Sequence, residues 1–297
     1  MHECAMTPHY IRLQDGLTIY CAEYLCTGKP LACPPILCLA GMTRNSRDFE
    51  SLAPWLASDF RVFAADLRGR GHSDRDPAWQ RYRLEVYLDD IRALLQALAI
   101  PEVIVIGTSL GGLIGLCLGR SEAPRIAGLV LNDIGPELDP TGLERIARTV
   151  GTAPTAQSWS QAARQLAAGH GAAMPDYEDD DWLRFARRLC REQSPGVIER
   201  DMDPLSGRAM RESGGVIPDF WETYLAQGDK PMLALRGELS DLLSLHTLQR
   251  MQSLRPTLET ATIARRGHTP TLDEPDSRRA LAQFFDRYFG SHLLGRL

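Results

Sequence analysis

The chain reads as an α/β protein, a mostly parallel sheet flanked by helices with a helical segment inserted between two strands. Three observations point there. Short β-rich runs end in Gly, Asn or Asp, and longer segments with helical spacing lie between them. The runs are almost continuously apolar, as parallel strands covered on both faces must be. The alternation stops after Asn132 and Asp133 and resumes at Met232.

Taken in order, Tyr10–Leu13 and Leu17–Glu23 flank Gln14-Asp15-Gly16. A DG turn between alternating runs predicts an antiparallel hairpin. Strands follow at Ile36–Leu39, Arg61–Ala65, Val103–Ile106, Leu129–Leu131, Met232–Leu235 and Leu258–Ile263. Helices are expected at Asp48–Ala57, Val86–Leu98, Gly111–Arg120, His246–Leu254 and Ser277–Leu294. In the second of these, Leu88, Ile91, Leu94, Leu95 and Leu98 fall on one helical face.

Between about residues 137 and 228 no strand is expected. Asp139-Pro140 fits an N-cap followed by proline at the first helical position. Asp179-Asp180-Asp181 precedes Trp182, Phe185, Ala186 and Leu189, with Arg187, Arg188 and Arg191 beyond. Acid at the start and base at the end suit a helix dipole. Consecutive aspartates point in different directions around a helix, so they read as a helix start and not as a metal site. The expected organisation is a core of residues 1–136 and 229–297 carrying a helical cap of residues 137–228.

The 297 residues are 44% hydrophobic and 24% charged, a globular balance that excludes general disorder. With 33 basic and 38 acidic side chains, net −5, nothing favours nucleic acid or an anionic membrane as partner. The 7 cysteines are odd in number and lack framework spacing, and Cys38 and Cys117 lie in apolar runs. They read as buried thiols of a reducing, cytoplasmic compartment. Met1 to Tyr10 shows no apolar signal region, and no apolar run reaches the roughly 18 residues of a membrane span.

The most informative string is Glu102-Val-Ile-Val-Ile-Gly107-Thr-Ser109-Leu-Gly111-Gly112, which places G-x-S-x-G between a buried strand and a helix. A serine on such a turn sits in strained backbone with its hydroxyl exposed, and small residues two places either side let the chain close up. The amide of Leu110, at the helix N-terminus, then faces the place where an oxyanion forms. Downstream, Asp241 follows the strand from Met232, and His268 follows the strand Leu258–Ile263 in a loop with Gly and Pro. All three would meet at the carboxyl ends of parallel strands, where open α/β sheets bind ligands. Serine needs a base. His268 would take its proton, and Asp241 would fix the imidazole tautomer. Asp133, which also follows a buried strand, is the alternative acid; the longer loop before Asp241 selects Asp241. Met42, just after Ile36–Leu39, is the candidate for the second oxyanion amide. His72 is a rival base, and His170 and His246 are expected on the cap and on a helix surface.

These pieces resemble the α/β-hydrolase superfamily over nearly the whole chain outside the insertion. The matching strings are Leu39-Ala-Gly-Met, Asp66-Leu-Arg-Gly-Arg-Gly-His-Ser73, the turn at Ser109, Leu235-Arg-Gly near Asp241, and Gly267-His-Thr-Pro with Glu274-Pro. The resemblance implies an eight-stranded type of sheet and a hydrolase with a helical cap, no cofactor, no metal and a small-molecule substrate. Many members have His-Gly where this chain has Ala40-Gly41. Haloalkane dehalogenases and epoxide hydrolases of this fold carry Asp at the nucleophile position, here Ser109. Meta-cleavage-product C–C hydrolases typically show Trp after the histidine, here Thr269. Gly69-Arg-Gly71 lacks the third glycine of a dinucleotide site, and no HExxH or CxxC motif is present.

The reading that results is hydrolysis of an ester, lactone or thioester of a small, partly apolar molecule through an acyl-enzyme. C–C bond hydrolysis, acyl transfer on the same triad, and slow-turnover ligand reception are the alternatives. Trp159, Trp182, Phe185 and Trp221 divide between pocket wall and cap core.

Overall fold

The computed structural model describes residues 5–25, 33–152, 154–212 and 219–297. Residues 1–4, part of the N-terminal segment read above, lie outside the described residues. Chain order begins with a hairpin, β1 (Met6–Arg12) and β2 (Thr18–Tyr24), paired antiparallel around Gly16, whose φ is 89°. Then come β3 (Ile36–Leu39), α1 (Leu52–Leu56), β4 (Val62–Ala65), α2 (Leu84–Ala97), β5 (Val103–Thr108), α3 (Leu110–Ser121) and β6 (Ile126–Asn132). The helix expected at Asp48–Ala57 is two short pieces, a 3₁₀ turn at Ser46–Phe49 and α1. Asn45 caps that turn, accepting from the Arg47 amide at 3.0 Å. Pro54 lies inside α1, and the segment is too brief for a longer regular helix.

The insertion holds α4 (Pro140–Thr149), α5 (Trp159–His170), α6 (Asp179–Leu189), a hairpin of β7 (Cys190–Ser194) and β8 (Val197–Arg200), α7 (Leu205–Glu212) and α8 (Trp221–Leu225). The sheet then resumes with β9 (Met232–Gly237), α9 (Leu245–Leu254), β10 (Glu259–Ile263) and α10 (Pro275–Phe289).

The sheet has eight strands in the order β1-β2-β4-β3-β5-β6-β9-β10, parallel except at the β1–β2 and β2–β4 pairings. Alternate side chains of each strand feed opposite layers. Leu37, Phe63, Val105 and Leu129 meet Ile91, Leu94 and Ile114 of α2 and α3 on one face. Cys38, Ala64, Ile104 and Leu235 meet Leu52, Leu281 and Phe284 of α1 and α10 on the other. Cys38 is wholly buried, as expected, whereas Cys117 on α3 is partly exposed.

The insertion departs from expectation in one respect: β7 and β8 form an antiparallel hairpin turning at Gly196. Its residues are mostly polar and at least partly exposed, and Cys190 and Ile198 alone carry the buried side of the pattern. Ala163, Leu166, Trp182, Phe185, Leu189 and Ile198 form a small apolar cluster of the insertion's own. Trp221 and Tyr224 of α8 belong instead to the main core. Among the described residues no helix is long and apolar enough to cross a membrane.

Candidate active site

Ser109 sits between β5 and α3 with φ 51° and ψ −115°, a conformation that L side chains rarely adopt. Its neighbours show why the motif needs glycine. A Cβ on Gly107 would come within 2.4 Å of the Gly111 carbonyl group and the Gly112 nitrogen, and one on Gly111 would meet the Leu39 carbonyl oxygen at 2.2 Å. The turn therefore closes only with bare backbone on both sides. The Ser109 amide donates to Asn132 O at 3.1 Å, tying the turn to the end of β6.

His268 stands in the loop after β10, and its Nε2 lies 3.0 Å from Ser109 Oγ. Its Nδ1 lies 2.8 Å from Asp133 Oδ2. A carboxylate only accepts, so Nδ1 carries the proton and donates, and Nε2 is left to accept from the serine hydroxyl. Asp133 is fully buried. It tolerates that because Oδ1 also accepts from the Gly237 amide at 2.8 Å and Oδ2 from Ser240 Oγ at 2.6 Å. Asn132, equally buried, donates to Thr108 Oγ1 at 3.0 Å and to Pro270 O at 2.9 Å, joining the strand ends to the histidine loop.

The acid that meets His268 is thus Asp133, and the expectation for Asp241 is corrected. Asp241 turns toward α4, where Arg145 grips both its oxygens, Nε to Oδ2 at 2.5 Å and Nη2 to Oδ1 at 2.7 Å. That pairing holds its carboxyl below the ordinary carboxylate range. The cause is close packing of α4: a Cβ on Gly142 would meet Asp241 O at 2.4 Å. The loop from Gly237 consequently presents Ser240, one residue earlier, to Asp133. The length of that loop was no guide to which side chain faces inward.

The loop after β3 lies against the serine, since a Cβ on Gly41 would be 3.6 Å from Ser109 Cβ. Met42 lines the same cavity. Its carbonyl accepts from Arg70 Nε at 2.8 Å, and Arg70 is itself buried and donates through Nη1 to Arg68 O and Tyr87 Oη. Leu110 opens α3, where a first-turn N–H has no intrahelical acceptor. His72 is elsewhere, its ring 4.7 Å from that of Tyr20.

Ser109 and His268 line a cavity of about 300 Å³ roofed by the insertion. Its apolar wall includes Ile146, Met174, Phe185, Leu189 and Met202, and its polar wall Thr43, Arg44, Arg145, His170 and Arg200. Of the aromatics considered, Phe185 reaches the cavity. Trp182 packs edge-on against Tyr177 and Phe185, Trp159 lies under Arg187, and Trp221 Nε1 donates to Glu137 at 3.0 Å. His170, expected merely on the cap, is a cavity residue. Sequence reasoning missed Ser240, Arg145 and Arg200. Ser240 could have been found from its place directly beyond the Gly237 strand end; the two arginines carry no local signal.

Comparison with known proteins agrees with this fold. The family model described as alpha/beta hydrolase fold matches residues 34–290. A 3-hydroxybutyrate-oligomer hydrolase of Cupriavidus necator is 28% identical, covering 87% of this chain and 90% of that protein. A 2-(acetamidomethylene)succinate hydrolase of Mesorhizobium japonicum is also 28% identical, over 85% of this chain and 88% of its own. The crystal structure of an alpha/beta hydrolase from Novosphingobium aromaticivorans superposes with a TM-score of 0.90 at 42% identity, covering 96% of this chain and 99% of that one. With the sheet order, the strained serine turn and a family match over most of its length, the chain belongs to the alpha/beta hydrolase fold family.

Proposed function

We propose that this protein is a serine hydrolase that cleaves an ester, lactone or thioester of a small, partly apolar molecule through an acyl-enzyme. The observation that carries this reading is the hydrogen-bonded chain Ser109–His268–Asp133 at the carboxyl ends of parallel strands. His268 Nε2 takes the Ser109 proton as Oγ attacks the carbonyl carbon. The negative charge passes to the carbonyl oxygen, which the amides of Met42 and Leu110 receive. The tetrahedral species collapses, the bond to the leaving oxygen or sulfur breaks, and His268 returns the proton to it. Water then attacks the acyl-serine by the same route, releasing the acid and restoring Ser109. Asp133 keeps the proton on Nδ1 and stabilises the imidazolium formed in each half. The name of the Cupriavidus relative supports an ester, because a hydroxy acid joined to itself is one. Residues 137–228 act in this reading as the cap that selects the substrate.

A fluorophosphonate probe tests the reading. It should add to the peptide containing Ser109 and to no other, and Ser109→Ala should abolish labelling and lower kcat by at least about 10⁴-fold. Labelling that survives the substitution ends it. Release of acid from an ester without capture by added alcohol or thiol separates hydrolysis from transfer.

A further inference from the structure

The cavity that holds Ser109 carries an unbalanced charge. Three arginines line it, and among the described residues no aspartate or glutamate does. Two of the three are already matched, Arg145 by Asp241 and Arg44 by Asp48, the latter at 2.6 Å. Arg200, at the end of β8, meets no carboxylate among the described residues. Its Nη2 lies 3.3 Å from His170 Nε2, and its Nη1 is buried without a hydrogen-bond partner among the described residues. Arginine only donates, so Nε2 of His170 accepts and the ring proton sits on Nδ1. Burial, with Arg200, Arg44 and Arg145 close by, pushes the His170 pKa down to about 3. Neutral or protonated, an imidazole supplies no counter-charge to a guanidinium.

A separate polar cleft of about 550 Å³ shows the usual arrangement. There Arg184 pairs with Asp181, Arg188 with Asp273, and Arg266 with Asp176 and Glu274. A cation left unmatched beside a cavity costs stability that an incoming anion recovers. A guanidinium presents a planar fork suited to a carboxylate.

We propose that Arg200 seats a carboxylate of the substrate, so that the molecule cleaved is an ester bearing a free carboxylate at its non-reacting end. The word ester rests on the serine-hydrolase reading; the carboxylate rests on the cavity alone. The bound molecule spans from Ser109 at the sheet edge to Arg200 in the insertion, with Ile146 and Met202 along its apolar part.

The carboxylate can belong to either side of the ester, and two matched pairs tell them apart. 3-Acetoxybutyrate and 3-acetoxybutyramide carry the group on the alcohol side. Monoethyl glutarate and its terminal carboxamide carry it on the acyl side. In at least one pair the carboxylate should exceed its amide in kcat/KM by about tenfold or more, the scale of a hydrogen-bonded charge, chiefly through KM. Arg200→Gln should erase that preference, and Arg200→Lys should keep part of it. Amides turned over as well as carboxylates in both pairs overturn the proposal, as does a preference that survives Arg200→Gln. A binding measurement needs neither turnover nor an Arg200 variant. In Ser109→Ala protein, 3-hydroxybutyrate or glutarate should raise Tm more than its amide. Where neither pair is hydrolysed, this shift decides. Its absence while Ser109 of the wild type still labels removes the carboxylate seat alone. Its presence without labelling removes the hydrolase reading alone.

Discussion

The edge of the main sheet and the insertion above it are built on different principles. At the edge, position is set by backbone that admits no side chain, as at Gly107 and Gly111, and by groups with no access to water, as at Asn132 and Asp133. Over it, α5 and α6 pack on a small cluster of their own and bind the rest largely through charged contacts. Arg47, for example, donates to the carbonyls of Arg188 and Cys190 and pairs with Asp201 at 2.8 Å. The two aspartates near the site show the contrast in miniature. Asp133 is inaccessible and held by backbone, hydroxyl and imidazole donors, whereas Asp241 is about a third exposed and held by one guanidinium. Burial and its hydrogen-bond donors, more than distance along the chain, separate the carboxylate that meets His268 from the one that does not.

The sharpest break of that contrast is to neutralise each acid in turn. Asp133→Asn should lower kcat by about 10⁴-fold, because the amide can donate to Nδ1 and favours the wrong tautomer. Asp241→Asn should leave kcat within about threefold. The reverse ranking, measured on two folded variants with one substrate, would return the orienting role to Asp241. Next in size is Ser240→Ala, which removes one of the donors to Asp133 Oδ2; kcat should fall by about tenfold, as expected for a lost hydrogen bond to a charged group. An unchanged kcat would mean that Gly237 and His268 suffice.

Phe185→Ala probes the other region. It should change KM or substrate ranking severalfold while Ser109 still takes up a small fluorophosphonate, since Phe185 lines the cavity from the insertion. Loss of labelling in a folded variant would place the insertion within the catalytic constellation.

The smallest effect concerns pH. Arg145 depresses the Asp241 carboxyl, so their pairing contributes in full above the ordinary carboxylate range and is lost as pH falls through the depressed one. The pair is part exposed, and solvent screening leaves it about 0–1 kcal/mol. Urea unfolding at a series of pH values should show wild type slightly ahead of Asp241→Asn near neutrality, and the gap should close in acid. A gap that widens in acid would contradict this sign.

Much of the sheet was legible because its strands announce themselves twice, by apolar runs and by the Gly, Asn or Asp that ends them. Ser109 was legible for the same reason, standing just past such a run; His268 follows β10, where Glu259, Thr260 and Thr262 are polar, and was legible from its place after a strand in a loop with Gly and Pro. Asp133 had the same signature as Ser109 and lost to Asp241 on loop length, on the usual family position and on a hinge role at the start of the insertion; loop length says how far a residue can travel and nothing about which way it faces. The β7–β8 hairpin was hidden because Arg191, Glu192, Gln193 and Glu199 face solvent or one another, leaving two buried residues to carry its period. The charge of the cavity was illegible in principle. Arg44, Arg145 and Arg200 are distant in sequence, and whether each has a partner depends on packing between elements.

The position of Asp133 has a consequence for dividing the molecule. Ser109 and Asp133 both precede the insertion in the chain, and His268 follows it. On the proposed reading, scission within residues 137–228 would leave two pieces each inert alone, one with nucleophile and acid, the other with the base. They share the β6–β9 ladder, Leu129–Asn132 against Met232–Leu235, as a ready seam for rejoining. Hydrolysis by a mixture of the two would report their reassembly, which makes this fold a natural starting point for a split reporter.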